Sequence, residues 1–554
     1  MPADRAGHTS ATAPTPDADD SLAGRVWRRD PSLWPAAPPQ QVATRLGWLD
    51  AGERVADDLA IAHRLAHELR AEGVRDVVLL GMGGAVHGAR AVAATVPPLQ
   101  GYPRLRLLDT TVPSAILQLA NGLDPRRVSF VLASKSGETI ETDALRRHFL
   151  AWLRDHGVAA WRRRFIVITD PHSPLHELAQ ADGARRVFLN PTDIGGRNSV
   201  LSNFGLVPAI LSGVPVDSLL RSARDMRDSA RAASIDQNPA LRLGIRLGQA
   251  ARGGRDKVMI FCSPRLRGFG DWLEQLLAES TGKDGKGLLP LFGDRPLDPH
   301  RYPADRQFVV VQLRGDEPAV PRGWARTLEQ AGLPLHFIQL ATVADVGAEF
   351  FRWAFATVVA SALIGINPFD EPDVDDAKTR TRELLRHYGK DSALPLRQPA
   401  ALDGALADFI LNTPADQYLG VQAFLPFSPE LDRGFARLRA LLQESCGITC
   451  TFAYGPRFLH ATGQYHKGGP PARFLHLYSS TEPSLPVPGR DYDFAALVNA
   501  QMLCDVQELR RRRRPIMASD IGSPHPGAFD AIIDQVAARA ARPPRRERAA
   551  PLAQ

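Results

Sequence analysis

Between residues 76 and 190 the chain carries five short apolar runs, "DVVLL", "RLRLLD", "VSFVLAS", "RFIVITD" and "RRVFLN", with helical patterns between them. Short runs bounded by turns and separated by helices indicate strands of a parallel sheet covered on both faces. The theme returns at "KVMIFC", "FVVVQL" and "LHFIQL", with helical patterns at 272–279, 322–331 and 348–363. The expected fold class is therefore α/β, with two doubly wound parallel-sheet domains. A third region has helical patterns at 401–411 and 431–444, strands at "ITCTFAY" and "RFLHLYS", and a long helix over "DYDFAALVNAQMLCDVQELR". It reads as a C-terminal α/β extension. The expected divisions are a leader at 1–45 with its first 24 residues disordered, domains at 46–225 and 226–398, the C-terminal region at 399–542, and a tail at 543–554.

The 554 residues are too many for one core, and roughly 150 residues per domain gives three or four domains. No uninterrupted apolar run reaches the ~20 residues that span a bilayer, and the first 20 residues lack the apolar core of a signal peptide. A cytoplasmic protein without a membrane partner is expected. Four cysteines do not make a disulfide framework, and Cys446 and Cys450 have no second pair at finger spacing, so no metal is expected. The basic block Arg510–Arg514 reads as a solvated helix C-terminus rather than a nucleic-acid patch. Only seven of the 67 basic residues are lysine, and four of those seven fall inside the motifs below.

Five motifs carry chemistry. In "GMGGAVHG", after the first strand, Gly81 and Gly83 fit a dinucleotide fingerprint but Val86 breaks it. Gly83 and Gly84 then let a sugar or phosphate approach the backbone, or simply form a structural turn. In "ASKSGETIET", Ser134, Lys135, Ser136 and Thr139 line a turn into a helix. Hydroxyls, a cation and free helix amides make an anion site suited to a phosphomonoester; a serine cap explains only one of the four. "DIGGRNSVLSNFGL" places Arg197 after two glycines, where it can reach an oxyanion or lie on the surface. In "LEQLLAESTGKDGKG", Glu279 ends an apolar helical face formed by Leu273, Leu276 and Leu277. It is either a polar residue at a helix end or a desolvated carboxylate that takes a proton from carbon. "INPFDEPDVDDAK" places Lys378 in the second turn of a helix, exposed or aimed at a ligand.

Together these motifs resemble the phosphoglucose isomerase family, built from paired sugar-isomerase (SIS-type) domains. "GMGGAVHG" is similar to its glycine turn, "SKSGET" to its phosphate loop and "GGRNSVLSNFGL" to one of its signatures. "LLAESTGKDGKG" is similar to the segment of its catalytic glutamate, and "NPFDEPDVDDAK" to the one leading to its active-site lysine. The likeness covers about residues 50–390, in the family's order. "AYGPRFLHATGQYHKGGPP" resembles the C-terminal extension of isomerase halves fused to transaldolase, so an isomerase half standing alone is expected. Two departures are visible: Ala85 stands where many relatives carry serine, and the family's ring-opening histidine has no well-matched counterpart. His300, His460 and His466 are the candidates, and His466 is expected to take the role.

The resemblance implies interconversion of glucose 6-phosphate and fructose 6-phosphate through a cis-enediolate. Glu279 would move the proton between C2 and C1, Arg197 would face the oxyanion, and Lys378 with a histidine would open the ring. Ser134, Lys135, Ser136 and Thr139 would hold the phosphate, with Gly83 and Gly84 against the substrate. No cofactor is implied. The partner is a small-molecule sugar phosphate, with no nucleic acid; a homodimer and a functional link to a separate transaldolase are further expectations. The alternatives are a non-catalytic sugar-phosphate-binding protein and an isomerase of another sugar phosphate such as mannose 6-phosphate. An amino-sugar synthase would need an N-terminal cysteine nucleophile, and the first cysteine is Cys262. The segment "YGPRFLHATGQYHKGG" is expected to border the active site.

Overall fold

The computed structural model describes residues 20–388, 404–522 and 527–541, without the side chains at 375–379, 387, 388 and 528. Among the described residues thirteen strands form three sheets, and every strand pairing within these sheets is parallel. The first sheet contains β1 (Asp76–Gly81), β2 (Arg104–Leu108), β3 (Val128–Ala133), β4 (Phe165–Thr169) and β5 (Arg186–Leu189), in the order β2-β1-β3-β4-β5. The second contains β6 (Lys257–Cys262), β7 (Leu289–Phe292), β8 (Arg306–Leu313) and β9 (Leu335–Leu340), in the order β7-β6-β8-β9. The third contains β10 (Tyr418–Phe424), β11 (Thr449–Tyr454), β12 (Ala472–Tyr478) and β13 (Ile516–Asp520), in the order β11-β10-β12-β13.

The central strands read as unbroken apolar runs because helices cover both their faces: all six residues of β1 and all six of β3 are buried. Each order reverses direction between its first and third strands. In open parallel sheets the crevice at the carboxyl ends of such a pair is where ligands bind. In the first sheet this brings the glycine turn beside the hydroxyl-rich loop, because Gly81 pairs with Ala133 and the two loops begin there.

Three strands escape the sequence reading, each for a local reason. β7 contains Pro290 and lies on a sheet edge, the position that tolerates a residue without an N–H donor. β13, also an edge strand, follows Pro515 directly. Central β10 is interrupted by Gly420, where a Cβ would sit 2.8 Å from the Phe474 ring; the missing side chain makes room for that ring while blurring the strand pattern.

Two further expectations are corrected. The leader is ordered from its end inward: Ser21 caps a helix over Leu22–Trp27, and Trp27 stacks against Phe351 at a centroid distance of 6.3 Å. Residues 1–19, the rest of that leader, lie outside the described residues. Arg510–Arg514 is not simply a solvated helix end. Arg512 pairs with Asp373 at 2.5 Å, and Arg514 donates to the carbonyl of Pro470 at 2.7 Å and that of Lys467 at 3.3 Å. The segment Val343–Ile364 is long and apolar enough to cross a bilayer by composition, but 78% of its apolar window is buried within the molecule.

Candidate active site

Glu279 lies in the last turn of the helix Phe269–Thr281, which follows β6 and the short turn after it. Leu273, Leu276 and Leu277 are fully buried and fix the helix against the core, which leaves Glu279 at its edge, partly enclosed. One carboxylate oxygen pairs with the Arg197 guanidinium at 2.9 Å; the other accepts from Gln275 Nε2 at 2.8 Å. Each carboxylate oxygen therefore has a charged or polar partner, which fixes its direction.

Arg197 is not a surface residue; it is 5% exposed, in the turn Gly196–Leu201. Besides Glu279 it meets the Glu371 carboxylate at 3.1 Å and the Asp370 carbonyl at 3.2 Å, and its own carbonyl accepts from Trp272 Nε1 at 3.0 Å. Burial works against the guanidinium charge, but Glu279, Glu371 and Asp370 outweigh it and hold its pKa above the ordinary value. Lys283 lies behind this group, donating to the carbonyls of Asn367 at 2.6 Å and Ser280 at 3.1 Å. Burial, aided by Arg197, pulls its pKa down to about 8.

Gly83 and Gly84 make close approaches to protein backbone. A Cβ on Gly84 would lie 2.1 Å from the Gly196 carbonyl, and one on Gly83 (φ +57°) would lie 2.5 Å from the His460 carbonyl. The glycine turn thus seats the Arg197 turn on one side and the C-terminal region on the other. In the hydroxyl loop, Ser134 and Thr139 hydroxyls are 2.8 Å apart, and the Gly137 amide donates to Ser134 at 3.1 Å. The Glu138 amide donates to Ser136 at 3.3 Å. Lys135 turns to the Asp170 carboxylate and to the Thr192 carbonyl at 3.0 Å.

Beside this loop opens a cavity of about 300 Å³. Ser136 and Thr139 line one side, His460, Lys467 and Asp505 another, and the helix Pro372–Tyr388 contributes Val374, Thr381 and Arg382. Position 378 falls at helical spacing from those three, on the same face; the Lys378 side chain lies outside the described residues. Glu279 and Arg197 are not in the cavity lining. Gln275 connects them to it, because its Nε2 donates both to Glu279 and to the His460 carbonyl, the latter at 2.9 Å.

The three histidines separate clearly. His300 is exposed on a short turn, Pro299–Arg301, capped by Asp298. His466 is buried: Nδ1 lies 2.8 Å from the Tyr418 hydroxyl, and its ring packs against Phe458 and Phe474. Burial, with Lys467 beside it, pushes its pKa down to about 3, so it stays neutral, and it is not brought to the cavity. His460 is, and its Nε2 lies 2.7 Å from Glu141.

Sequence reasoning missed Gln275, Glu141 and Glu371, because their partners are 174 or more residues away except for the i,i+4 contact of Gln275 with Glu279. That i,i+4 spacing was the only signal available locally. The C-terminal segment does border this site: Gln464 Nε2 donates to the Gly282 carbonyl at 2.9 Å, and the Gly285 amide donates to the Gly468 carbonyl at 2.9 Å.

Parallel sheets with this polar loop after β3 place the chain among α/β proteins built on sugar-isomerase domains. Residues 67–287 match the sequence profile of phosphoglucose isomerase. The chain is 30% identical over 383 residues to a glucose-6-phosphate isomerase of Thermus thermophilus, an alignment covering 61% of this chain and 90% of that one. It is 28% identical over 393 residues to another from Symbiobacterium thermophilum, covering 62% and 87%. The chain belongs to the phosphoglucose isomerase family. The fold agrees with a crystal structure of a hypothetical protein from Thermus thermophilus, with TM-score 0.56, 29% identity, and coverage of 65% and 96%.

Proposed function

We propose that the chain interconverts glucose 6-phosphate and fructose 6-phosphate by moving a proton between C2 and C1. The observation that carries this reading is the Glu279–Arg197 pair at 2.9 Å, a carboxylate and a buried guanidinium side by side within a sugar-isomerase fold. A Glu279 oxygen takes the C2 proton of the open-chain aldose, the C1–C2 enediolate forms, the C2 hydroxyl proton passes to the C1 oxygen, and the same Glu279 oxygen returns its proton to C1. The guanidinium beside it faces the charge that develops on the enediolate oxygens; a preorganised cation in a dry site stabilises the transition state more than the ground state. The hydroxyls of Ser134, Ser136 and Thr139, next to the first amides of the helix Ile140–Asp155, hold the phosphate. Lys135 completes the phosphate site if the ligand draws it from Asp170. Lys378 assists from the cavity-facing side of its helix.

No group outside the chain is needed, because the proton only moves between neighbouring carbons. A binding protein without catalysis has no use for the paired base and guanidinium. The reading extends to a cytoplasmic homodimer; the likeness of the C-terminal segment to fused isomerase halves supports a functional link with a separate transaldolase. A coupled assay tests the activity: fructose 6-phosphate should be turned over well and mannose 6-phosphate poorly. No turnover of fructose 6-phosphate, or a preference for mannose 6-phosphate, overturns the reading.

A further inference from the structure

A second, larger opening shares a wall with the cavity described above. This groove holds about 810 Å³, against about 300 Å³ for the cavity. Three segments far apart in the sequence bring arginines to it: Arg146 and Arg147 from the helix Ile140–Asp155, Arg382 and Arg386 from the helix Pro372–Tyr388, and Arg490 from the loop before the helix Phe494–Arg511. None of the five has a part in the proton transfer proposed above.

Charge is not balanced in this groove. Its lining has three carboxylates, Glu138, Asp143 and Asp491, for the five guanidinium groups. Asp143 alone is shared by three of them: Arg146 at 3.1 Å, Arg147 at 2.8 Å and Arg490 at 2.8 Å. Arg146 also meets Asp182 at 3.3 Å. Arg386 is exposed and has no ion pair among the described residues, and Arg382 donates to the Glu138 carbonyl at 3.0 Å. Two buried donors are also left over. Arg146 is 9% exposed and Thr142 3%, and neither Arg146 Nε nor the Thr142 hydroxyl has a hydrogen-bond partner. Unpartnered buried polar groups are rare in folded proteins, and an anion drawn against Arg146 supplies acceptors that the protein lacks there. The rest of the lining suits a carbon skeleton: Leu175, Leu178 and Leu385, with the aromatic ring of Tyr492.

We propose that this groove is an effector site for an organic polyphosphate of the nucleoside triphosphate class. One phosphate offers three terminal oxygens, too few for guanidinium groups spread over three segments; a chain of phosphates can reach them, while the apolar side takes the nucleoside. The volume lies within the range of small-molecule sites and exceeds that of the substrate cavity. Glu138, Thr139, Ile140 and Arg382 line both openings. A polyanion on one side of so thin a wall repels a sugar phosphate on the other, so the effector inhibits by raising KM. That regulatory role rests on the isomerase reading; the binding does not.

Equilibrium dialysis and steady-state kinetics with magnesium-free ATP test the site. ATP should bind the parent, tripolyphosphate should bind about tenfold more weakly, and adenosine should not bind measurably. Arg386→Glu, at an exposed and unpaired position, and Arg490→Ala should each weaken ATP binding by about tenfold or more and leave activity without ATP unchanged. With the parent, KM for fructose 6-phosphate should rise about fivefold and then level off as ATP increases, the mark of two sites that can be filled together. A KM that climbs without limit and is indifferent to Arg386→Glu means that ATP competes in the substrate cavity, and overturns the proposal. So does an absence of ATP binding, ATP binding unchanged in both variants, or adenosine binding as tightly as ATP. If the parent binds ATP through Arg386 but does not turn over fructose 6-phosphate, the site stands and the isomerase reading has failed.

Discussion

The first and third sheets share one strand order over their first four strands, β2-β1-β3-β4 and β11-β10-β12-β13, yet they hold polar groups in opposite ways. In the first sheet the chemistry sits in one contiguous loop after β3. Its hydroxyls bond to one another and to amides within five residues. In the third sheet it sits in the connection from β11 to β12, and its side chains find partners across the molecule: His460 with Glu141, Arg457 with Asp271 at 2.7 Å, and Lys467 with Asp505 at 2.5 Å. The second sheet adds the carboxylate, on the helix after β6. One topology thus serves three tasks, because a parallel sheet fixes only where its loops emerge, while the loops decide what chemistry is available.

This contrast can be broken by experiment, beginning where the effect is largest. Glu279→Gln keeps the shape and the Gln275 contact but removes the base, so kcat should fall by roughly 10²–10⁴-fold with KM little changed. Retention of a tenth of the activity would mean that the second sheet does not carry the base.

Lys467 and Asp505 are each 1% exposed, so Lys467→Met leaves a carboxylate buried without its cation. Denaturant unfolding should show a loss of about 3–5 kcal/mol. The double variant Lys467→Met with Asp505→Leu should recover much of it. No loss in the single variant would show that the third sheet does not depend on its buried pair.

Acid should weaken the fold through two buried histidines. Burial pushes His87 down to about 3, with Arg457 acting in the same direction, and His466 is likewise held at about 3. Both stay neutral in the folded protein while the unfolded chain takes up protons below about pH 6.5. Their contribution is thus fully present above that pH and is lost as pH falls toward 3, by about 2 kcal/mol per histidine at pH 5. His466→Gln should flatten the stability curve between pH 7 and 5; an unchanged slope would contradict its buried, neutral state.

Ser134→Ala with Thr139→Ala should raise KM for sugar phosphates about tenfold, a loss of roughly 1.4 kcal/mol of binding, and leave thermal unfolding unchanged. If KM and inhibition by inorganic phosphate both stay put, the first sheet's loop is not the phosphate site. The smallest effect is expected at His300→Ala: this exposed residue lies outside the cavity lining, and kcat/KM should match the parent.

What could be read in advance follows the same division. Most strands of the first two sheets were legible because buried parallel strands are continuous apolar runs. The hydroxyl loop was legible because its residues are neighbours in sequence and its helix amides are always unpaired. Glu279 was legible as a choice between two states; its pairing with Arg197, 82 positions earlier in the chain, was not.

The sequence by itself determined the α/β class, the repeated parallel pattern and the contiguous anion loop, because local periodicity and local hydrogen bonding depend only on near neighbours. Tertiary structure alone decided that Arg197 is buried against Glu279, that the glycine turn receives the His460 carbonyl, and that His460 rather than His466 faces the cavity. His460 and His466 lie six residues apart in one polar segment, so composition could not separate them. Which histidine meets Glu141, 319 positions away, and which is sealed among aromatic rings depends on how the third sheet packs onto the first.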